Sequence, residues 1–325
     1  MAVLVTGAAG FIGYHVSAAL LARGESVVGV DIVNDYYDVA LKEARLVELA
    51  KQANFSFKRI DIAARDALAD TCGNAGIDRI VHLAAQAGVR HSLTHPFDYQ
   101  RVNLEGHLRI LEFCRGLDSF AHLVYASSSS VYGGNKKLPF SETDRVDLPV
   151  SLYAATKKAG ELMSHSYSHL YRIPITGLRF FTVYGPWGRP DMAAWLFVRA
   201  ILAGEPIKVF NNGDMMRDFT YIDDIVAGVL AVLGQPAGEG DGEAPHRVFN
   251  IGNNRSEKLM RFIGLIEDAL GQKAEIDFMP MQDGDVKETY ADIDAIGNAV
   301  GFSPKTTIEV GVPNFVAWYR DYHGV

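Results

Sequence analysis

Val3-Leu4-Val5-Thr6-Gly7-Ala8-Ala9-Gly10-Phe11-Ile12-Gly13 decides the fold. The apolar run Val3–Val5 reads as a buried strand, and the glycines after it open a helix that runs to about Arg23. Glycine at positions 7, 10 and 13 lets the backbone approach a pyrophosphate and lets helix pack on strand, while the free N–H groups of the helix N-terminus face the phosphates. A second strand, Ser26–Val30, ends at Asp31, eighteen residues beyond Gly13. A carboxylate at that strand end accepts hydrogen bonds from the adenosine ribose hydroxyls and repels a 2′-phosphate, so the unit is expected to bind NAD rather than NADP. The competing reading of Asp31 is a solvated strand end.

Outward from this unit the pattern repeats. Strand-like runs at Phe55–Ile60, Arg79–Leu83, His122–Ala126 and Ile173–Phe180 alternate with amphipathic segments such as Leu41–Lys51 and Leu104–Cys114. Such alternation builds right-handed βαβ units, so the expected class is α/β, a Rossmann-type doubly wound parallel sheet with helices on both faces. After Gly185-Pro186-Trp187 the strands become short and scattered, at Ile207–Phe210, Val248–Ile251 and Glu275–Met279, with helices between them. A cofactor domain over residues 1–180 and a smaller α/β substrate lobe over most of 181–325 are expected. The Gly/Pro/acidic stretch Gln235–Pro245 reads as a mobile surface loop, and the chain has no internal repeat.

The 325 residues are 48% hydrophobic and 22% charged, enough apolar material for one large core and a smaller lobe. No eighteen-residue apolar run exists and Met1 leads directly into a strand, so neither a membrane span nor a signal peptide is expected, and the expected location is cytoplasmic. A formal charge of −8 argues against a nucleic-acid surface, so an anionic substrate needs a local cluster of cations and N–H groups. Cys72 and Cys114 fall in helical segments without metal-ligand spacing, and His82, His91 and His95 show no spacing for a metal or a triad. Idle thiols and structural histidines are the reading, with no metal site.

The second informative stretch is Tyr153-Ala154-Ala155-Thr156-Lys157, preceded by Ser127-Ser128-Ser129-Ser130. Four-residue spacing puts Tyr153 and Lys157 one turn apart on one helix face, where an ammonium favours the phenolate and draws a phenol pKa from about 10 toward neutrality. Tyr153 is thus the candidate general base, with Lys157 its partner and a serine hydroxyl the third group. Alone, the pair reads as an exposed helical pair; the glycine turn upstream gives it a functional context. Ligands of doubly wound sheets bind beyond the carboxyl ends of strands, so Ser127–Ser130, Ala84–Arg90 and Phe181–Tyr184 should line one cleft.

The spacing G-x-x-G-x-x-G, Asp31, the serine-rich strand end and Y-x-x-x-K, in this order, resemble the extended short-chain dehydrogenase/reductase family over essentially the whole chain. Within that family the likeness is to NAD-dependent nucleotide-sugar 4-epimerases, and specifically to those acting on UDP-glucuronate. It is carried by Asn34-Asp35-Tyr36-Tyr37-Asp38, Ala84-Ala85-Gln86-Ala87-Gly88-Val89-Arg90 and Ser127-Ser128-Ser129-Ser130-Val131-Tyr132-Gly133. Ser151-Leu152-Tyr153-Ala154-Ala155-Thr156-Lys157-Lys158 and Gly185-Pro186-Trp187-Gly188-Arg189-Pro190-Asp191-Met192 complete it.

The resemblance implies that Ile222–Leu233 and Val248–Ile251 return to the cofactor domain, giving it residues 222–251 as well. It implies a homodimer through helices around Leu104–Cys114 and Ala154–Tyr171. NAD would be held by Gly7, Gly10, Phe11, Ile12, Gly13 and Asp31, by Asp61 and Ile62 at the adenine, by Leu83, Ala84 and Ala85, and by Asn103, Tyr153 and Lys157. A helix-capping role stays open for Asp61. The family's catalytic hydroxyl lies four residues before the tyrosine of the V-Y-G element, here Tyr132, which selects Ser128; Ser127 and Ser129 stay open as alternatives.

The implied reaction starts when Tyr153, as phenolate, takes the proton of the sugar 4-hydroxyl while hydride leaves C4 for nicotinamide, with Ser128 bonding the same oxygen. The 4-keto sugar then turns about its diphosphate and receives the hydride on its other face. Dehydratases of the family carry Asp-Glu after the serine, and UDP-glucuronate decarboxylases a glutamate at the place of Ser130. Ser129 and Ser130 serve neither chemistry. Ser129, Ser130 and Thr182, the last where galactose epimerases usually carry asparagine, are candidates to hold a substrate carboxylate, with strand-end capping as the plain alternative. Arg217 resembles the diphosphate-binding arginine, with pairing to Asp218 as its alternative. Arg189 resembles a mobile-loop arginine, Arg90 is a further cation for either anion, and Lys208, Val209 and Phe210 flank the uracil. The implied activity is 4-epimerisation of UDP-glucuronate to UDP-galacturonate. Its rivals are a UDP-glucose/UDP-galactose epimerase, a decarboxylase or dehydratase, and a catalytically silent NAD-sensing protein, which would have no use for Ser128, Tyr153 and Lys157 together.

Overall fold

In the computed structural model, which describes residues 1–238, 244–282 and 286–325, a single seven-stranded sheet organises the chain. Its strands are β1 (Ala2–Thr6), β2 (Ser26–Asp31), β3 (Phe55–Arg59), β4 (Ile77–His82), β5 (His122–Ser128), β6 (Ile175–Phe180) and a seventh, His246–Ile251. The order across the sheet is β3-β2-β1-β4-β5-β6 followed by His246–Ile251, every neighbour parallel. This is the doubly wound order, with its switch point between β1 and β4, and it confirms the expected class. Both β1 and β6 are buried along their whole length, which is why Ala2–Val5 reads as an unbroken apolar run rather than an alternating one.

Helices cover the sheet. Phe11–Ala22 follows the glycine turn and packs against Ile222–Leu233, while Leu152–Tyr171 lies over β5. The latter is capped by Ser151, whose hydroxyl accepts the Ala154 N–H at 3.1 Å. The segment expected as one helix over Leu104–Cys114 is a π-helical run, Gln100–Gly106, continuing as an α-helix over His107–Arg115. The wide turns bring Asn103 inward, and such turns recur at functional sites.

Apart from His246–Ile251, the strands beyond β6 pair in twos: Thr182–Tyr184 with Phe219–Tyr221, Ile207–Val209 with Ile276–Phe278, and Met216–Arg217 with Glu257–Lys258. Helices Ala193–Ala203, Leu259–Leu270 and Ile308–His323 enclose them. One apolar cluster runs without a break from Val3 and Val81 in the sheet to Phe262 and Phe315 among these helices. Of the expected loop Gln235–Pro245, residues 239–243 lie outside the described residues; Ala237 and Ala244 on either side are buried. Cys72 and Cys114 are buried free thiols. Among the described residues no helix is long and apolar enough to cross a membrane, and no cluster of His, Cys, Asp and Glu could hold a metal.

Candidate active site

The carboxyl ends of the central strands open onto one cavity of ≈ 1050 Å³. Of the residues expected at the site, all but Asn103 and Val209 stand on its wall. Val209 fails for a simple reason: side chains alternate along Ile207–Val209, so Lys208 faces outward while Ile207 and Val209 enter the core.

At one end the wall is backbone. Gly7 sits at φ +72°, and a Cβ on it would lie 2.8 Å from the Ala84 nitrogen; a Cβ on Gly13 would lie 2.0 Å from the Gly7 carbonyl oxygen. Thr6, which sequence reasoning passed over, joins the ends of β1 and β4. Its Oγ1 accepts the N–H groups of Leu83 (3.2 Å) and Ala84 (3.1 Å) and bonds His82 Nδ1 at 2.7 Å. Asp31 accepts the Ala9 N–H at 3.1 Å and the Val33 N–H at 2.7 Å. Burial holds its carboxyl above the ordinary range, against the pull of these N–H groups and of Lys42. The bond to Val33 also holds that residue at φ 53°, a left-handed conformation that β-branched side chains rarely adopt. Asp61 does not begin a helix, because the next one starts only at Ala67; it closes a turn through the Ala63 N–H (2.9 Å) and pairs with Arg101. Ile62 beside it is buried.

A second strand of contacts, unreadable in the sequence, fastens the Gly185–Met192 segment to this end. The buried Arg45 donates through Nη1 to Ala9 O (2.8 Å) and Tyr37 Oη (2.7 Å), and through Nη2 to Trp187 O (2.5 Å) and Gly188 O (3.2 Å). His15 Nε2 meets Pro186 O at 2.9 Å. Arg189 grips Asp191 with a two-pronged contact of 3.0 and 2.5 Å, and the Tyr36 hydroxyl donates to the same carboxylate at 3.0 Å.

At the other end the wall is side chains. Lys157 donates to the Ala126 carbonyl at 3.0 Å, and burial pulls its ammonium down to about 8. Its Nζ lies 5.8 Å from the centre of the Tyr153 ring. The expected draw of the Tyr153 phenol toward neutrality is corrected here: burial pushes it above its ordinary value, outweighing the Ser128 hydrogen bond and the Arg189 charge that pull it down. The serine run divides. Ser127 is buried and donates to Glu161 Oε1 at 2.7 Å, whereas Ser128 bonds Tyr153 and accepts both the N–H (3.2 Å) and the hydroxyl (2.9 Å) of Ser130. Asn103, off the wall, accepts the Gln86 N–H at 2.8 Å and donates to Gln86 O (3.0 Å) and Thr156 Oγ1 (3.1 Å), tying the Tyr153 helix to the segment after β4.

Ser129, Ser130 and Thr182 line the same cavity as Tyr153. Farther along, the Arg90 guanidinium stacks 5.1 Å from the Phe210 ring, and Arg217 Nη1 donates to the carbonyls of Met216 and Lys287, both at 2.9 Å. Asp218 is buried, and its carboxylate accepts from the N–H groups of Asn253 (2.6 Å) and Ala291 (3.1 Å). The histidines are packed in pairs: His82 on His107 with rings 5.3 Å apart, His91 on His95 at 4.0 Å.

A glycine turn, the Asp31 carboxylate and a hydroxyl–phenol pair thus share one cavity, and residues 3–252 match the NAD dependent epimerase/dehydratase family. The chain belongs to that family. An uncharacterized 37.6 kDa protein of Escherichia coli O111:H- is 53% identical over 339 residues, covering 100% of both chains. UDP-glucuronate 4-epimerase 1 of Arabidopsis thaliana is 48% identical over 334 residues, spanning 100% of this chain and 78% of that relative. The structure is similar to that of the Bacillus cereus UDP-glucuronic acid 4-epimerase in complex with UDP-glucuronic acid and NAD, with a TM-score of 0.90, 34% identity, and coverage of 99% and 100% of the two chains. The cofactor of this epimerase/dehydratase is NAD. The site fits it: the turn is too tight for side chains, and Asp31, with two contacts in place of the roughly four a carboxylate accepts, has acceptors left for a ribose diol.

Proposed function

We propose that this enzyme interconverts UDP-glucuronate and UDP-galacturonate by epimerisation at C4. The observation that carries the reading is the pairing of Ser128 with Tyr153 on a wall that also carries Ser129, Ser130 and Thr182. The similarity to UDP-glucuronate 4-epimerases supports it.

In this reading residues 1–180 with 222–251 hold the cofactor and most of 181–325 holds the nucleotide sugar. Gly7, Gly10, Phe11, Ile12 and Gly13 receive the pyrophosphate, Asp31 the ribose, Asp61 and Ile62 the adenine, and Leu83, Ala84 and Ala85 close the cradle. Bound there, NAD would supply the acceptor and then the donor for the C4 hydride, and a positive ring that favours the phenolate. Tyr153 takes the 4-hydroxyl proton, Ser128 bonds the same oxygen, and Lys157 orients the ribose from its place on the Ala126 carbonyl. Once the sugar has turned, Tyr153 returns its proton to the oxygen of the opposite epimer. Arg217 and Arg90 neutralise the diphosphate, while Lys208 and Phe210 flank the base. The 4-keto uronate is a β-keto acid, which loses carbon dioxide when its C–C bond lies perpendicular to the ketone plane. Hydrogen bonds from Ser129, Ser130 and Thr182 hold the carboxylate out of that orientation, with Arg189 available once it exchanges Asp191 for the substrate. The exposed leucines 108, 162 and 170, on the helices His107–Arg115 and Leu152–Tyr171, suit a homodimer, and the enzyme works in the cytoplasm.

Incubating the purified protein, without added cofactor, with UDP-glucuronate, UDP-galacturonate, UDP-glucose and UDP-xylose and separating the products tests the assignment. The two uronates should interconvert. Faster turnover of UDP-glucose would move the assignment to the UDP-glucose/UDP-galactose rival.

A further inference from the structure

Beneath the serine run lies a buried polar bed whose members Glu161, Arg179, Tyr132 and Asn250 stand off the cavity wall. Glu161 sits one helical turn beyond Lys157 and two beyond Tyr153, so three successive turns of one helix address the end of β5. Tyr153 meets Ser128, Lys157 meets the Ala126 carbonyl, and Glu161 meets Ser127. The carboxylate of Glu161 is fully engaged. Oε1 accepts the Ser127 hydroxyl (2.7 Å) and Arg179 Nε (2.8 Å); Oε2 accepts Arg179 Nη2 (2.9 Å) and Lys158 Nζ (3.4 Å).

Arg179 stands directly opposite Ser127 across β5 and β6, and Asn250 opposite Arg179 on the next strand. The third prong of Arg179, Nη1, donates to the Tyr132 hydroxyl at 3.0 Å, and that hydroxyl donates to Asn250 Oδ1 at 2.7 Å. Asn250 in turn donates to the carbonyls of Phe140 (2.8 Å) and Asp292 (3.0 Å). Ser127 and Tyr132 bracket Ser128, Ser129 and Ser130, so both ends of the reactive run are pinned to one ion pair. Burying such a pair contributes little net stability, since apolar residues of equal volume serve a core as well or better. Stability alone does not account for an ion pair with both side chains 4% exposed, directly under the reacting hydroxyls.

We infer that Glu161 and Arg179 are positioning residues which, through Ser127 and Tyr132, set the rotation of the Ser128–Ser130 turn and so aim the Ser128 hydroxyl at the oxygen that Tyr153 deprotonates. The inference rests on the roles proposed above for Ser128 and Tyr153. It has a specific chemical consequence: releasing the bed misaims a hydroxyl needed in the transition state without removing any group that binds substrate or cofactor. Turnover falls while binding does not.

Ser127→Ala is the decisive variant, because Glu161 Oε1 keeps its bond to Arg179 and no buried charge is orphaned. Its kcat should fall about tenfold, the effect of a modest misplacement of a catalytic group, with KM for UDP-glucuronate, Tm and copurified NAD unchanged. The paired replacement Glu161→Met with Arg179→Leu should lower kcat at least as far with Tm near wild type, and adding Ser127→Ala to it should cost nothing more, since the tie is already gone. Wild-type kcat in Ser127→Ala overturns the inference. So does a kcat loss that merely tracks a lower Tm or lost NAD, or a full additional penalty in the triple variant. If the paired variant does not fold, Ser127→Ala alone decides. A wild-type enzyme inert toward UDP-glucuronate, or a fully active Tyr153→Phe, would instead strike the functional reading itself.

Discussion

At the cofactor end of the cavity the contacts come from backbone: the Gly7–Gly13 turn, the N–H groups of Ala9 and Val33 on Asp31, the carbonyls gripped by Arg45. At the sugar end they come from side chains: Ser128 on Tyr153, Lys157 on Ala126, Ser127 on Glu161. A backbone wall is rigid, and in the proposed function it serves one ligand, a cofactor expected to stay through every turnover. A side-chain wall has hydroxyls and charges that exchange partners, which suits a sugar that must turn over within the site.

If that contrast is right, variants at the two ends should fail differently. The largest loss is expected at the sugar end: Tyr153→Phe should lower kcat by about 10²–10⁴-fold, the range of a general acid–base group, while steady-state binding and bound NAD remain normal. Next comes Gly13→Ala at the cofactor end. Its Cβ would meet the Gly7 carbonyl oxygen at 2.0 Å, so the protein should purify depleted of NAD and with a lower Tm, read from its absorbance ratio and a thermal melt. Thr182→Val or Arg189→Ala should raise KM for UDP-glucuronate about tenfold, the equivalent of one charge-assisted hydrogen bond, and leave NAD retention untouched. The smallest effect belongs to Asp31→Ala, which should narrow the preference for NAD over NADP by removing repulsion of the 2′-phosphate. An unchanged preference in that variant would deny the carboxylate its discriminating role.

The same contrast explains what was legible in the sequence. The glycine turn, Asp31 and the alternation of strand and helix depend on residues close in the chain, and their spacing declares them. Tyr153 and Lys157 were legible because one helical turn joins them. Arg45, whose four acceptors lie at Ala9, Tyr37, Trp187 and Gly188, carried no local signal, nor did the ion pair of Glu161 with Arg179, eighteen residues apart. Thr6 had one: a hydroxyl ending a buried apolar strand must find a partner. Val209 was misplaced by ignoring strand alternation, and the phenol pKa by weighing a charge before its burial.

The account's central claim is that one hydride leaves C4 and returns to it on the opposite face. UDP-glucuronate deuterated at C4, incubated with the protein as isolated and followed by NMR, tests this directly. The account predicts UDP-galacturonate with deuterium retained at C4 and only a trace of UDP-pentose. Loss of the C4 deuterium to solvent, or UDP-pentose as the main product, would contradict it.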